Sequence, residues 1–267
     1  MDVIPTFGPL VATLLVLFLL LVWWRWHRER RVRRAHAEAL AALATALGGT
    51  VVGPAAARAW SADLRPPLRH ETGGLVNRVG TVRRARFETA LDFRRGRWPV
   101  RVSEASVRKH VVTASTTTIR EHRVEVAVAA LPALRLCRRV QAGGPAAWQA
   151  GDPGPAAEVP LSVARDGRPW LPAVLPAPAD REFTAFTTDP QAVARAFTPQ
   201  VAQWLVDQAG TDPFTCPVPL VLTAEAGLVY ATRSGRIDPA HVVAEVDLLL
   251  GLLDRMGATP AHPPGPA

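Results

Sequence analysis

The run ARFETALDF, from Ala85 to Phe93, sets Ala85, Phe87, Thr89, Leu91 and Phe93 against Arg86, Glu88, Ala90 and Asp92. Period-two alternation predicts a strand with one buried face, because successive side chains point to opposite sides of a sheet. Arg94, Arg95 and Gly96 then turn the chain, and Val100 and Val102 begin a second strand after Pro99. The β-branched run Val111 to Ile119 is expected to pair with Val124 to Ala130, with Arg120, Glu121 and His122 at the turn between them. Leu134 and Leu136 add a short strand after Pro132. These connections are too short for the crossover helices of a parallel sheet, so the expectation is an antiparallel meander.

Towards the C-terminus, Phe183, Ala185 and Thr187 mark another strand, followed by Asp189 as N-cap and Pro190 at the first helical position. Thr198 and Pro199 repeat that chemistry before Val201, Trp204 and Leu205. Val218 to Thr223 and Leu228 to Thr232 read as a hairpin, and Asp238 with Pro239 as the cap of a last helix carrying Val242, Val246, Leu249, Leu250 and Leu253. Residues 141–179 are rich in Pro, Gly and Ala and read as a long surface connection. The fold class is α+β: an N-terminal transmembrane helix, then one antiparallel sheet with C-terminal helices packed on it.

The segment Val3 to Trp24 carries no charge and is long enough, at about 1.5 Å per residue, to cross a bilayer core of roughly 30 Å. It lacks the leading positive charge and small-residue cleavage site of a signal peptide. Asp2 is the only charge before it, whereas Arg25, Arg28, Arg30, Arg31, Arg33 and Arg34 follow, offset by Glu29. The positive-inside rule then places the N-terminus outside and the remaining chain in the cytoplasm, and Trp23, Trp24 and Trp26 suit an interfacial aromatic belt. These nine Trp and Arg residues are the candidate membrane interface. Leu40, Leu43 and Leu47 continue a helical spacing up to Gly48 and Gly49, either as one rod from about Pro9 to Leu47 or as a separate short surface helix. The expected organisation is a transmembrane anchor over 1–24, a basic juxtamembrane helix over 25–49, a cytoplasmic α+β domain over 50–257 and a disordered tail over 258–267.

About 220 residues after the anchor suffice for one well-cored domain. Lys109 is the only lysine beside thirty arginines, the signature of a GC-rich coding sequence, so an arginine alone is weak evidence of a site. Cys137 and Cys216 have no CxxC or paired-His spacing and read as buried thiols. Residues 58–139 hold eighteen basic and seven acidic side chains, and residues 140–267 hold seven and thirteen. Either the two halves close on each other or the basic half faces anionic headgroups.

No glycine-rich phosphate loop, zinc-spaced Cys/His set, HExxH or nucleophile elbow is present, so no catalytic residue, cofactor or metal is assigned. The dispersed candidates are His70 with Glu71, His110, His122 with Glu121, and His241 with Glu245. The last pair, four apart on a helix, would orient an imidazole or form an ordinary surface pair. Thr113 and Ser115 to Thr118 would be a modification patch or simply β-branched strand. Arg83, Arg84, Arg86, Arg94, Arg95, Arg97 and Arg101 lack the interleaved aromatics of a nucleic-acid module, so no nucleic-acid partner is expected. Trp60, Trp98, Trp148, Trp170 and Trp204 read as core or loop anchors, or as the lining of a groove.

The wording VAVAALPALRLCRRV from Val126 to Val140, with RFETALDF before it and EFTAFTTDPQAVARAFTPQVAQWL after it, resembles a group of single-pass membrane proteins of GC-rich Gram-positive bacteria. The resemblance covers roughly residues 40–255. It implies the order anchor, strand region, L-P-x-L segment, variable linker and D-x-x-x-A helix, and brings no established activity. The functional expectation is a membrane-tethered cytoplasmic binding or scaffolding domain, with the lipid bilayer and a protein as partners. The alternatives are a sensor of anionic lipid surfaces or of a small ligand held between sheet and helices, and an enzyme in whose cleft a His meets a carboxylate or hydroxyl.

Overall fold

The computed structural model describes residues 7–68, 84–110, 116–129, 131–139, 168–209 and 221–264. The chain divides into two compact units, Met1–Leu43 and Ala44–Ala267. Helix α1 (Phe7–Ala46) supplies the first unit and is unbroken, so the one-rod reading holds. It is long and apolar enough to cross a membrane, and from Val11 to Val22 its large apolar side chains are exposed on every side. Gly48, at φ +64°, and the bond from Gly49 N–H to the Ala44 carbonyl (2.8 Å) end the helix in a left-handed cap.

The second unit is one antiparallel sheet with helices, the expected α+β class. Its strands are β1 (Thr50–Val52), β2 (Arg86–Arg95), β3 (Trp98–His110), β4 (Thr116–Ala129), β5 (Leu134–Arg138), β6 (Leu171–Ala173), β7 (Phe183–Thr187), β8 (Val221–Glu225), β9 (Leu228–Ser234) and β10 (Thr259–Pro260). The order is β1-β2-β3-β4-β9-β8-β5-β7-β6, with β10 added to β4. The helices are α2 (Ala179–Glu182), α3 (Pro190–Ala196), α4 (Pro199–Ala209) and α5 (Val242–Arg255).

Four expectations are corrected. The turn assigned to Arg120, Glu121 and His122 does not exist: β4 runs straight through them, and β3 pairs along it from Val100 opposite Val126 to His110 opposite Thr116. The meander stops at β4, because the β8–β9 hairpin inserts between β4 and β5. Within the connection 141–179, Leu171–Ala173 forms edge strand β6 and Trp170 is buried against Phe186. Residues Thr259 and Pro260, assigned to the disordered tail 258–267, pair with Ala129 and Val128. Residues 141–167 of that connection, Trp148 among them, and Cys216 lie outside the described residues, whereas Cys137 is a buried thiol.

The opening strand also needs amending. Its register shifts between Phe87 and Thr89, a bulge at Glu88 that reverses the alternation. Leu91 and Phe93 lie opposite Val102 and Val100 on one face, while Phe87 lies opposite Ala105 on the other. Phe87 therefore buries against Ala57, Ala59 and Ala62 of a strap, residues 57–68, laid over that second face.

Helix α5 covers the first face, burying Val242, Val246, Leu249, Leu252 and Leu253. The Trp204 ring of α4 packs against Gly251 of α5, where an added Cβ would lie 3.1 Å from the ring. Asp189 caps α3 by accepting from Ala192 N–H (2.9 Å), as its position before Pro190 predicts. Asp238 instead caps the turn before α5, bonding Ala240 N–H at 2.9 Å. At the far end of α5, one oxygen of Asp254 accepts from the buried Trp98 indole (3.1 Å) and from Arg97 (2.6 Å). Asp254→Ala strands that indole N–H, and we expect a loss of about 1–3 kcal/mol in urea unfolding, larger than for Asp247→Ala, which breaks only an exposed pair.

Candidate functional site

Strand β4 carries Glu121, Arg123 and Glu125 on its strap-covered face, all buried. Glu125 fastens the strap: its Oε2 accepts from Trp60 N–H (2.8 Å), and its Oε1 from Ser61 N–H (2.8 Å) and the Ser61 hydroxyl (2.5 Å). Burial pushes the Glu125 carboxyl up, against the downward pull of the Ser61 bonds, Arg123 and the Trp60 amide. Arg123 donates to Ser61 Oγ (2.9 Å), to the Arg65 carbonyl (2.8 Å) and to Glu121 (3.1 Å), and its guanidinium stands over Phe87 and Tyr230. The E-x-R-x-E pattern at period two was the available sequence signal for this ladder, since residues two apart in a strand share a face. It is masked by the adjoining His122, which completes a run resembling a polar turn.

Across the same face, Tyr230 donates its hydroxyl to Glu225 (2.6 Å). Burial, then the Glu225 charge and bond, holds that phenol above its ordinary range. Arg65 of the strap is pushed down, first by burial and then by the positive charge of Arg123. The same guanidinium feels Arg135 as a repulsive neighbour and Glu121 and Tyr230 as attractive ones.

On the helix face, His122 Nε2 lies 3.2 Å from Glu245 Oε2, and Arg233 lies 3.3 Å from the other Glu245 oxygen. The expected His241–Glu245 pair is thus replaced. His241 precedes α5 and bonds Asp238 (2.7 Å), while Glu245 turns inward to the sheet. The Glu121–His122 pair also separates, because neighbours in a strand face opposite ways. His70 and Glu71 fall outside the described residues, as do the side chain of His110, Thr113 and Ser115, while Thr116 to Thr118 simply begin β4. Glu104, opposite His122, accepts from Ile237 N–H (3.1 Å) and has Arg120 and Arg236 each at 3.9 Å. Among the described residues no cluster of His, Cys, Asp and Glu could hold a metal ion.

Three of the seven candidate arginines from Arg83 to Arg101 are held by acids of the same unit. Arg95 makes a two-pronged pair with Asp247 (2.8 and 2.8 Å), Arg97 reaches Asp254, and Arg101 makes a two-pronged pair with Asp92 (2.7 and 2.6 Å). Arg94 bonds the Arg97 carbonyl, Arg84 and Arg86 are exposed, and Arg83 is outside the described residues. Between the two open readings of the charge asymmetry, the Arg95–Asp247 and Arg97–Asp254 pairs, which join the basic and acidic halves, favour internal closure. Trp60, Trp98, Trp170 and Trp204 all pack within the unit.

In the first unit, the side chains around the end of the apolar stretch contact one another along the helix. Arg28 lies over Trp24 (5.6 Å), Arg30 over Trp26 (3.6 Å), Trp23 stacks on His27 (5.4 Å), and Glu29 stands between Arg25 (3.7 Å) and Arg33 (3.5 Å). At about 100° per residue, Arg25, Arg33, Arg30, Arg34, Arg31 and Arg28 encircle the helix with no gap wider than about 80°. All six are exposed.

No family model, curated protein or solved structure matches the chain.

Proposed function

We propose that this is a single-pass, membrane-tethered binding domain without a catalytic role of its own. In this reading α1 crosses the bilayer with its N-terminus outside, and the unit Ala44–Ala267 lies in the cytoplasm, where it engages a partner or ligand. The observation that carries it is the complete arginine ring placed directly after the exposed apolar turns. A helix lying flat on a membrane needs its cations on one side, whereas a helix passing end-on through the headgroup layer meets phosphates all around. Trp23, Trp24 and Trp26 at the same level suit the interfacial belt, and the resemblance to single-pass proteins of GC-rich Gram-positive bacteria belongs to the same proposal.

The lipid-surface alternative, in which the basic half of the sheet reads headgroups, is weakened by the acids that already hold Arg95, Arg97 and Arg101. An enzymatic reading of Ser61 with Glu125 is weakened too, because that hydroxyl is fully buried and bonded on both sides.

A reporter fused after Ala267 should signal from the cytoplasm, and the protein should stay in the pellet on alkaline extraction. Replacing all six belt arginines with Gln should send a substantial fraction to the opposite orientation. An external signal from the unaltered chain, or release by alkali, overturns the tether.

A further inference from the structure

We propose that the side of α1 bearing Arg28, Arg30, Arg31 and Arg34 binds a phospholipid whose headgroup carries two phosphates. The inference rests on the tethered reading of α1 and names the class of lipid that its arginines select.

Arginine supplies thirty of the 267 residues but six of the ten from Arg25 to Arg34, a density that coding bias does not account for. The six charges are not equivalent. At about 100° per residue, Glu29 lies about 40° from both Arg25 and Arg33. It stands between them at 3.7 and 3.5 Å. The other four occupy an arc of about 160° centred on the opposite side of the helix, running from Arg30 through Arg34 and Arg31 to Arg28. Among the described residues no ion pair reaches any of these four, and all are exposed. The other acid of α1, Glu38, lies about 6 Å further along the axis than Arg34 and about 15 Å further than Arg28. The ring is thus complete in position but uneven in net charge.

The four arginines adjoin. Arg28 with Arg31, Arg31 with Arg34, and Arg30 with Arg34 are three or four residues apart, which sets neighbouring Cβ atoms about 5–6 Å from each other. Two of the guanidiniums are held by aromatic rings, Arg30 over Trp26 at 3.6 Å and Arg28 over Trp24 at 5.6 Å. Stacking occupies the flat face of a guanidinium and leaves its N–H edge free for paired bonds to phosphate oxygens. Those same tryptophans suit the interfacial belt, so the patch falls at the level of the headgroups. Charge complementarity then narrows the occupant. A zwitterionic headgroup brings its own cation with its phosphate and leaves the patch uncompensated. Lipids of single charge answer it only by ordering several molecules, whereas a headgroup with two linked phosphates brings the second to a neighbouring arginine as an intramolecular step.

The test uses the purified full-length chain in detergent micelles, titrated with diphosphatidylglycerol and, at equal total lipid charge, with phosphatidylglycerol, the bound copies being counted by native mass spectrometry. The two-phosphate lipid should saturate its site at a concentration about tenfold lower or less. Arg31→Gln combined with Arg34→Gln should weaken its binding about thirtyfold, the effect of removing two cations from the headgroup level. Arg25→Gln combined with Arg33→Gln removes as many charges from the side that Glu29 already offsets, and should weaken it no more than about fivefold. Equal binding of the two lipids at equal charge overturns the proposal, because charge density alone then governs. Equal losses in the two double variants overturn it as well, because net charge and not the open side of the helix is then what the lipid reads. Such a failure with the C-terminal reporter still cytoplasmic removes the lipid selection and leaves the tether intact.

Discussion

Glu125→Ala is expected to cost the sheet unit about 3–5 kcal/mol, the range seen when one member of a buried charge pair is removed. Three donors, Trp60 N–H, Ser61 N–H and the Ser61 hydroxyl, lose their acceptor at once, and the fully buried Arg123 loses a counter-charge. The strap should detach while the sheet persists. Trp60 packs beside Ala127, Leu228 and Tyr230, so its fluorescence should shift toward that of exposed indole before global unfolding. Urea unfolding of the full-length chain in detergent, followed by Trp fluorescence and far-UV circular dichroism, checks this. A single coincident transition with an unchanged midpoint would show that Glu125 does not hold the strap.

The same residue gives a pH dependence of defined sign. Burial holds its carboxyl above the unfolded value of about 4.3. A carboxyl raised on folding contributes stability fully below its unfolded pKa and loses it as pH rises through the folded pKa. The advantage of the unaltered protein over Glu125→Gln should therefore be largest near pH 4 and shrink as the pH is raised. Urea midpoints of the two proteins across that range measure it, and an advantage that grows with pH contradicts the assignment.

What could be read from the sequence was what one dimension encodes. A charge-free run followed by six arginines identifies an apolar helix and its flank without tertiary information, and Asp189 before Pro190 marks a helix start by local chemistry. The strand Arg86–Arg95 was legible as a strand but its faces were not. Phe87, Leu91 and Phe93 satisfy perfect alternation, whereas the bulge at Glu88 depends on pairing with β3. The passage Arg120 to His122 failed for a related reason. Consecutive polar residues signal a turn only if no partner awaits them, and here Glu245 meets His122 on one face while Arg123 meets Glu121 on the other. The insertion of the β8–β9 hairpin beside β4 joins residues about a hundred positions apart and leaves no local trace. The strap has no periodicity at all, since its place is fixed by backbone amides bonding Glu125.

Three glycines near the end of α1 separate two reasons for a glycine. At Gly49 an added Cβ would lie 2.5 Å from the Asp92 carbonyl oxygen and 2.6 Å from Phe93 Cβ, both rigid parts of β2. Neither can move without breaking the pairing of Thr50 with Asp92 and Val51 with Leu91. Gly49→Ala should therefore cost about 3 kcal/mol, the upper end of overpacking, and release β1 from the sheet. Gly48 has open space around it but φ +64°, so Gly48→Ala should cost only about 1–2 kcal/mol, through backbone strain. Gly53→Ala meets nothing within 4 Å and should stay within about 0.5 kcal/mol of the parent. Thermal unfolding ranks the three, and amide exchange at Thr50 to Val52 shows whether β1 is lost. Equal effects at Gly48 and Gly49 would mean that backbone conformation alone governs both, and that the close approach to β2 is not what selects Gly49.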